Sequence, residues 1–162
     1  MSTIIRPINQ HDQRRLAKLI RSVFEEYRAP LVNTVYDDLR TWHVYDTLQN
    51  VNAQYWVIEN DDEIVGGCGF YPTEGLPEGY AELVKFYLSP KIRGLGFGSK
   101  IFQLVIEEAR KAGYQKLYIE SFPEFSEAVA MYLRHGFYHI LERVGNSNHT
   151  ATSIFMVLDL NK

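Results

Sequence analysis

Six consecutive residues, Arg93-Gly94-Leu95-Gly96-Phe97-Gly98, followed by Ser99, carry the most distinctive chemistry in the sequence. They stand directly before a run in which Ile101, Leu104, Val105 and Ala109 recur at helical spacing. The first backbone N–H groups of a helix lack intrahelical partners and sit at the positive end of its dipole, so a glycine-rich turn there makes an anion site. Glycines let the main chain approach phosphate oxygens and take positive φ where successive N–H groups converge. Arg93 adds a charge able to pair with phosphate. By itself the pattern fits a tight structural turn equally well.

Two other phosphate-binding patterns compete for this turn. A dinucleotide fold needs G-x-G-x-x-G early in the chain, whereas the segment reads Gly94-x-Gly96-x-x-Ser99 with about 60 residues after it. Glu120, roughly 20 residues on, nevertheless stands where that fold keeps its ribose-binding acid. The nucleotide-hydrolase loop is excluded, because Gly98-Ser99-Lys100 has its letters in the wrong order.

The elements that must hold the turn follow from periodicity. Thr3 to Ile8 starts as a strand. Leu16, Leu19, Ile20, Val23, Phe24 and Tyr27 then mark an amphipathic helix, with Asp12 as its capping candidate and an end near Pro30. Thr34 to Gln49 reads as a second, less regular helix. Gln54 to Glu59 and Ile64 to Tyr71 form a hairpin around Asn60-Asp61-Asp62-Glu63. Tyr80 to Leu88, the helix after Gly98 and Lys116 to Ser121 make a βαβ unit, whose strands lie parallel with a right-handed crossover. Ser126 to His135 reads as a short helix. Phe137 to Arg143 and Thr152 to Leu160 close the chain as strands. No linker or repeat divides residues 1–162, so one α+β domain is expected.

Composition narrows the partners. The chain is 46% hydrophobic and 23% charged, an ordinary globular mixture. Its net charge of −3 and lack of a basic tract argue against nucleic acid. No apolar run approaches the roughly 20 residues that span a bilayer, and Met1 to Pro7 lacks a signal-peptide pattern, so a cytoplasmic location is expected. Cys68 is the single cysteine, which leaves no intrachain disulfide and no zinc cluster. Its apolar surroundings read as a buried thiol rather than a nucleophile.

From Ala81 to Phe137 the chain resembles the GNAT superfamily of N-acetyltransferases, and the order of the flanking elements extends the resemblance over nearly all of it. Two motifs carry it. R/Q-x-x-G-x-G/A is present as Arg93 to Gly98, and A-x-x-x-Y-x-x-x-G-F as Ala128, Tyr132, Gly136 and Phe137. The resemblance implies a mixed, mostly antiparallel central sheet of about six to seven strands, flanking helices and a splayed parallel pair. It also implies acetyl-CoA as co-substrate and no metal, with the amine of a small molecule or peptide as acceptor. Backbone groups at Phe86 and Leu88 would bind the acetyl carbonyl and pantetheine arm. The turn of Arg93, Gly94, Leu95, Gly96, Phe97, Gly98 and Ser99 would hold the pyrophosphate. Tyr132 matches the family's general acid, and Glu82 stands where some members carry a catalytic glutamate. The Asn often found before the second motif's helix is replaced by Glu124-Phe125-Ser126, where Ser126 either substitutes for it or caps the helix.

Each side chain also has a bland reading: Tyr132 as a core residue beside Ala128, Glu82 as a solvated or salt-bridged acid. Strand alternation expects Glu82, Val84, Phe86 and Leu88 on one face, with Glu82 about 13 Å from Phe86. Glu120, His149 and His43 are further candidates for the base. The acceptor would lie against Arg28 to Gln49 and Val144 to Thr152. There Tyr36, Asp37, Asp38, Trp42, His43 and Tyr45 form either an aromatic, acidic pocket for a cation or simply the two faces of a helix. An uncovered sheet edge would allow a homodimer across the last strands. A non-catalytic acyl-CoA sensor and a dinucleotide-binding protein are the competing functions.

Overall fold

A computed structural model describes residues 2–161; Met1 and Lys162, the ends of the expected domain, lie outside the described residues. Among the described residues seven strands form one sheet: β1 (Thr3–Pro7), β2 (Gln54–Asn60), β3 (Glu63–Tyr71), β4 (Tyr80–Leu88), β5 (Lys116–Ser121), β6 (Tyr138–Ile140) and β7 (Ile154–Asp159). Their order is β1-β2-β3-β4-β5-β7-β6, and every neighbouring pair is antiparallel except β4 with β5. This is the mixed α+β sheet that the sequence implied. A single parallel pair is not the parallel sheet a dinucleotide fold requires.

The buried strands feed two cores by alternation. Tyr55 and Val57 of β2 face one side, where they meet Leu16, Ile20 and Phe24 of α1 (Gln13–Tyr27). Trp56 and Ile58 face the other, toward Ile101, Phe102, Val105 and Ala109 of α3 (Phe97–Lys111) and Met131 and Tyr132 of α4 (Ser126–Arg134). The β2–β3 hairpin turns on Asp61 and Asp62, both at positive φ (49° and 67°), as a two-residue turn of this hand requires.

Some expected elements differ. Thr34 to Gln49 is not one helix: it holds turns, a 3-10 helix at Leu39–His43 and a single helical turn, α2 (Val44–Thr47). Asp37 accepts from the backbone N–H groups of Asn33 and Thr34, and Asp38 from that of Arg40. Such side-chain bonds offer the backbone an alternative to the helical ladder. Asp12 does not cap α1. It is fully buried and takes two hydrogen bonds from Arg6, while Asn9 caps a preceding 3-10 turn.

Candidate active site

β4 and β5 pair at three positions only, Tyr80–Lys116, Ala81–Leu117 and Glu82–Tyr118. Beyond Glu82 they separate, because β5 keeps pairing along its whole length with β7 while β4 stays with β3. The wedge opens a cavity of about 580 Å³, within the range of small-ligand sites. The turn at 93–99 lines one end, and Glu82, Lys85, Thr73 and Arg40 line the other.

At the turn, Gly94 and Gly96 have φ of 78° and 90°, and a Cβ on either would meet nothing within 4 Å. Conformation and open approach, rather than packing, therefore demand glycine there. Gly98 is different: a Cβ would come within 2.8 Å of the Leu88 Cδ1. α3 starts at Phe97 without a side-chain cap, so its first N–H groups remain for an anion at the cavity wall. A diphosphate fits this donor set. Ser99 lines the cavity, whereas Leu95 is exposed and Phe97 packs toward the core; neither of those two lines it.

Arg93 has a role that its spacing did not reveal. Its guanidinium pairs with Glu26 through bonds of 2.6 and 2.8 Å, donates to the Leu88 carbonyl at 2.9 Å and lies over the Tyr27 ring. Arg93 thus braces the end of α1 against the end of β4, and the turn end of the cavity is built mainly from backbone.

Between the two ends lie Phe86 and Tyr132. Tyr132 stacks on Phe102 at 5.4 Å and lies 6.3 Å from Phe86. Its hydroxyl makes no hydrogen bond with any described residue, and burial pushes its pKa well above the ordinary value. The phenol therefore stays protonated and lines the cavity with a free donor.

The expected alternation along β4 is broken. Gly67 pairs with Tyr87 and Gly69 with Val84, so β4 carries one residue too many, and Lys85 takes φ of 52°. This bulge turns Phe86 and Leu88 to the face of Ala81 and Leu83, while Glu82 stays on the side of Val84 and Tyr87. Glu82, Phe86 and Leu88 consequently do not share a face. They meet at the cavity from opposite sides of the strand, which removes the need for Glu82 to lean along one face.

At the far end two carboxylates face different surroundings. Glu82 is 8% exposed and takes one side-chain hydrogen bond, 2.5 Å from Thr73. Burial raises its pKa to about 6, with Thr73 opposing and Glu120 adding to the rise. Glu120 receives Arg143, Ser147 and Thr152 on one oxygen and Tyr118 on the other, at 2.8 to 2.9 Å. It anchors the loop before β7. His149 is bound to Asp38 at 2.8 Å, which Arg40 also holds.

The chain matches the Acetyltransferase (GNAT) family over residues 16–137, a span that includes the turn, the splayed strands and Tyr132. This chain belongs to the GNAT acetyltransferase family. It is 33% identical over 161 residues, covering 98% of this chain and 96% of the relative, to an N-acetyltransferase from Escherichia coli K12 named YjgM and described as uncharacterized. Two solved structures share the GNAT fold. A GNAT-family acetyltransferase from Staphylococcus aureus aligns with a TM-score of 0.83 at 20% identity, covering 98% and 99% of the two chains. PaiA N-acetyltransferase from Thermoplasma acidophilum, determined in complex with coenzyme A, aligns with a TM-score of 0.74 at 16% identity over 98% and 99%.

Several expected residues stand outside this GNAT cavity. Ser126 is the exposed first residue of α4; Phe125 holds the cap position, and the serine neither caps nor lines the cavity. His43 is exposed, 3.5 Å from Asp46. The aromatic, acidic pocket does not form: Tyr36 bonds Glu25, and Arg21 lies over the rings of Tyr36 and Trp42. From the same segment Val35, Arg40, Val44 and Leu48 line the wall instead. Arg40 and Lys85 went unnoticed because no spacing rule points to a residue placed by a bulge or an irregular turn. Among the described residues no group of metal-ligating side chains is gathered, and no helix is long and apolar enough to cross a membrane.

Proposed function

We propose that this enzyme binds acetyl-CoA along the splayed edge of β4 and transfers the acetyl group directly to an amine held at the Glu82 end. The observation that carries the reading is the unpartnered Tyr132 hydroxyl in the wedge between the strands. The phosphates would rest on the backbone N–H groups from Gly94 to Ser99, and the pantetheine arm along the edge of β4 that β5 leaves beyond Glu82, at Phe86 and Leu88, the Leu88 carbonyl being already held by Arg93. Acetyl-CoA supplies the acetyl group as a thioester, whose C–S bond breaks as the amine nitrogen bonds the carbonyl carbon. Glu82 takes the proton that the amine must lose, directly or through water, and a pKa near 6 leaves it ionised at neutral pH. Tyr132 donates its proton to the departing sulfur and is reprotonated from Glu82 through water, so both groups return to their starting state and the products are free thiol and amide. The acceptor is a small molecule or a peptide end.

The test joins binding to turnover. Acetyl-CoA should raise the melting temperature, and amines should release thiol in its presence. Tyr132→Phe should keep the stabilisation but lose about 10²-fold in kcat. Undiminished turnover would remove Tyr132 from the reaction, and no stabilisation by acetyl-CoA would end the whole reading.

A further inference from the structure

Lys85 holds the β4 bulge at φ 52°, a left-handed conformation that costs a non-glycine residue roughly 1 kcal/mol or more. The bulge sets its side chain on the cavity wall, half-buried. Its ammonium makes no hydrogen bond or ion pair with any described residue. Glu82 and Asp38 act on it only through space, and burial lowers its pKa. The cavity's arginines differ: Arg40 is held by Asp38, Arg93 by Glu26, and Arg134 is exposed. Withdrawing a cation from water without a counter-ion is unfavourable, and an arriving anion offsets it. The lining combines polar groups at this end, Thr73 and Arg40 among them, with an aliphatic part formed by Val35, Val44, Leu48 and Val84.

Resting on the reading of this cavity as an acetyl-CoA and amine site, we infer that the acceptor carries a carboxylate. It is a small amino acid with an apolar body, its carboxylate on Lys85 and its amine beside Glu82. Lys85 supplies the charge, Arg40 reinforces it, and the aliphatic wall takes the side chain. Substrate recognition is then split across the bulge, which brings cation and base to one end while leaving the β4 edge free.

Thiol release by the whole chain with acetyl-CoA tests this on matched pairs: leucine with isoamylamine, phenylalanine with phenethylamine, and methionine with its amide. The amino acids should exceed their partners that lack the carboxylate by about tenfold or more in kcat/KM, as a charge-assisted contact predicts. Lys85→Met should bring that preference close to one, and Lys85→Arg should keep it. The wild-type comparison needs no variant, so a poorly folding mutant does not remove the test. Carboxylate-free partners equal to or better than the amino acids would overturn the inference and leave acetyl transfer standing. Failure to turn over any acid, by a protein that acetyl-CoA stabilises, would overturn it too. A preference retained in Lys85→Met would strip Lys85 of the role. Loss of both stabilisation and turnover throughout would instead strike the reading on which the inference rests.

Discussion

The two ends of the cavity are made of different material. At the turn, glycines at positive φ and an uncapped helix start expose backbone donors, and the one prominent side chain, Arg93, is already tied to Glu26. At the far end side chains do the work, and two buried carboxylates divide it. Glu120 spends both oxygens on four neighbours, whereas Glu82 keeps one partner and a raised pKa. Burial alone therefore does not make a base. A carboxylate saturated with donors is a structural anchor, and one left short of them is available to a proton.

The largest effect expected from this contrast is on stability. Glu120→Ala removes the carboxylate on which Arg143, Ser147, Thr152 and Tyr118 converge, leaving the Arg143 charge without its ion-pair partner, and should cost about 3 kcal/mol, a fall of about 8 °C in Tm by calorimetry. A loss below about 1 kcal/mol would show that the loop before β7 has other anchors.

Glu82→Gln should behave oppositely. It should lower kcat/KM about 10²-fold at pH 8 and abolish the acid limb, which in the wild type rises with pH through about 6. The sign on stability also reverses. A carboxyl whose folded pKa is raised above its ordinary 4.5 contributes stability that is present below pH 4.5 and lost as pH rises through about 6. Removing that charge should therefore stabilise the variant relative to wild type above pH 6. An acid limb that persists in Glu82→Gln would move the base elsewhere.

The smallest effect concerns the backbone end. Gly96→Ala forces a Cβ onto φ of 90° beside the anion site and should weaken acetyl-CoA binding about tenfold by calorimetric titration, with little change in kcat. An unchanged affinity would mean that the phosphates lie away from the turn.

The backbone end was the more legible in sequence. Glycine spacing before a helical stripe marks a candidate anion site by local signals alone, and Ala128, Tyr132, Gly136 and Phe137 mark the helix that follows. The βαβ order was readable for the same reason, since periodicity of 3.6 and 2 is local. The far end was misread in parts. Alternation put Glu82 with Phe86 because nothing in Glu82-Leu83-Val84-Lys85-Phe86 announces a bulge. The segment 34–49 looked like an amphipathic helix, yet Asp37 and Asp38 spend their side chains on its turns.

By itself the sequence determined the family and the order of most elements, and it singled out the glycine turn as a candidate anion site, because these depend on residue types at short, fixed spacings. The tertiary structure alone decided which carboxylate is free, where Arg93 goes and that Lys85 enters the cavity unpaired. Those outcomes depend on partners far apart in the chain: Glu120 meets Arg143, Arg93 meets Glu26, and β4 gains its extra residue only against β3. A hydrogen-bond balance of that kind is set by what a side chain meets after folding, and no local spacing encodes it.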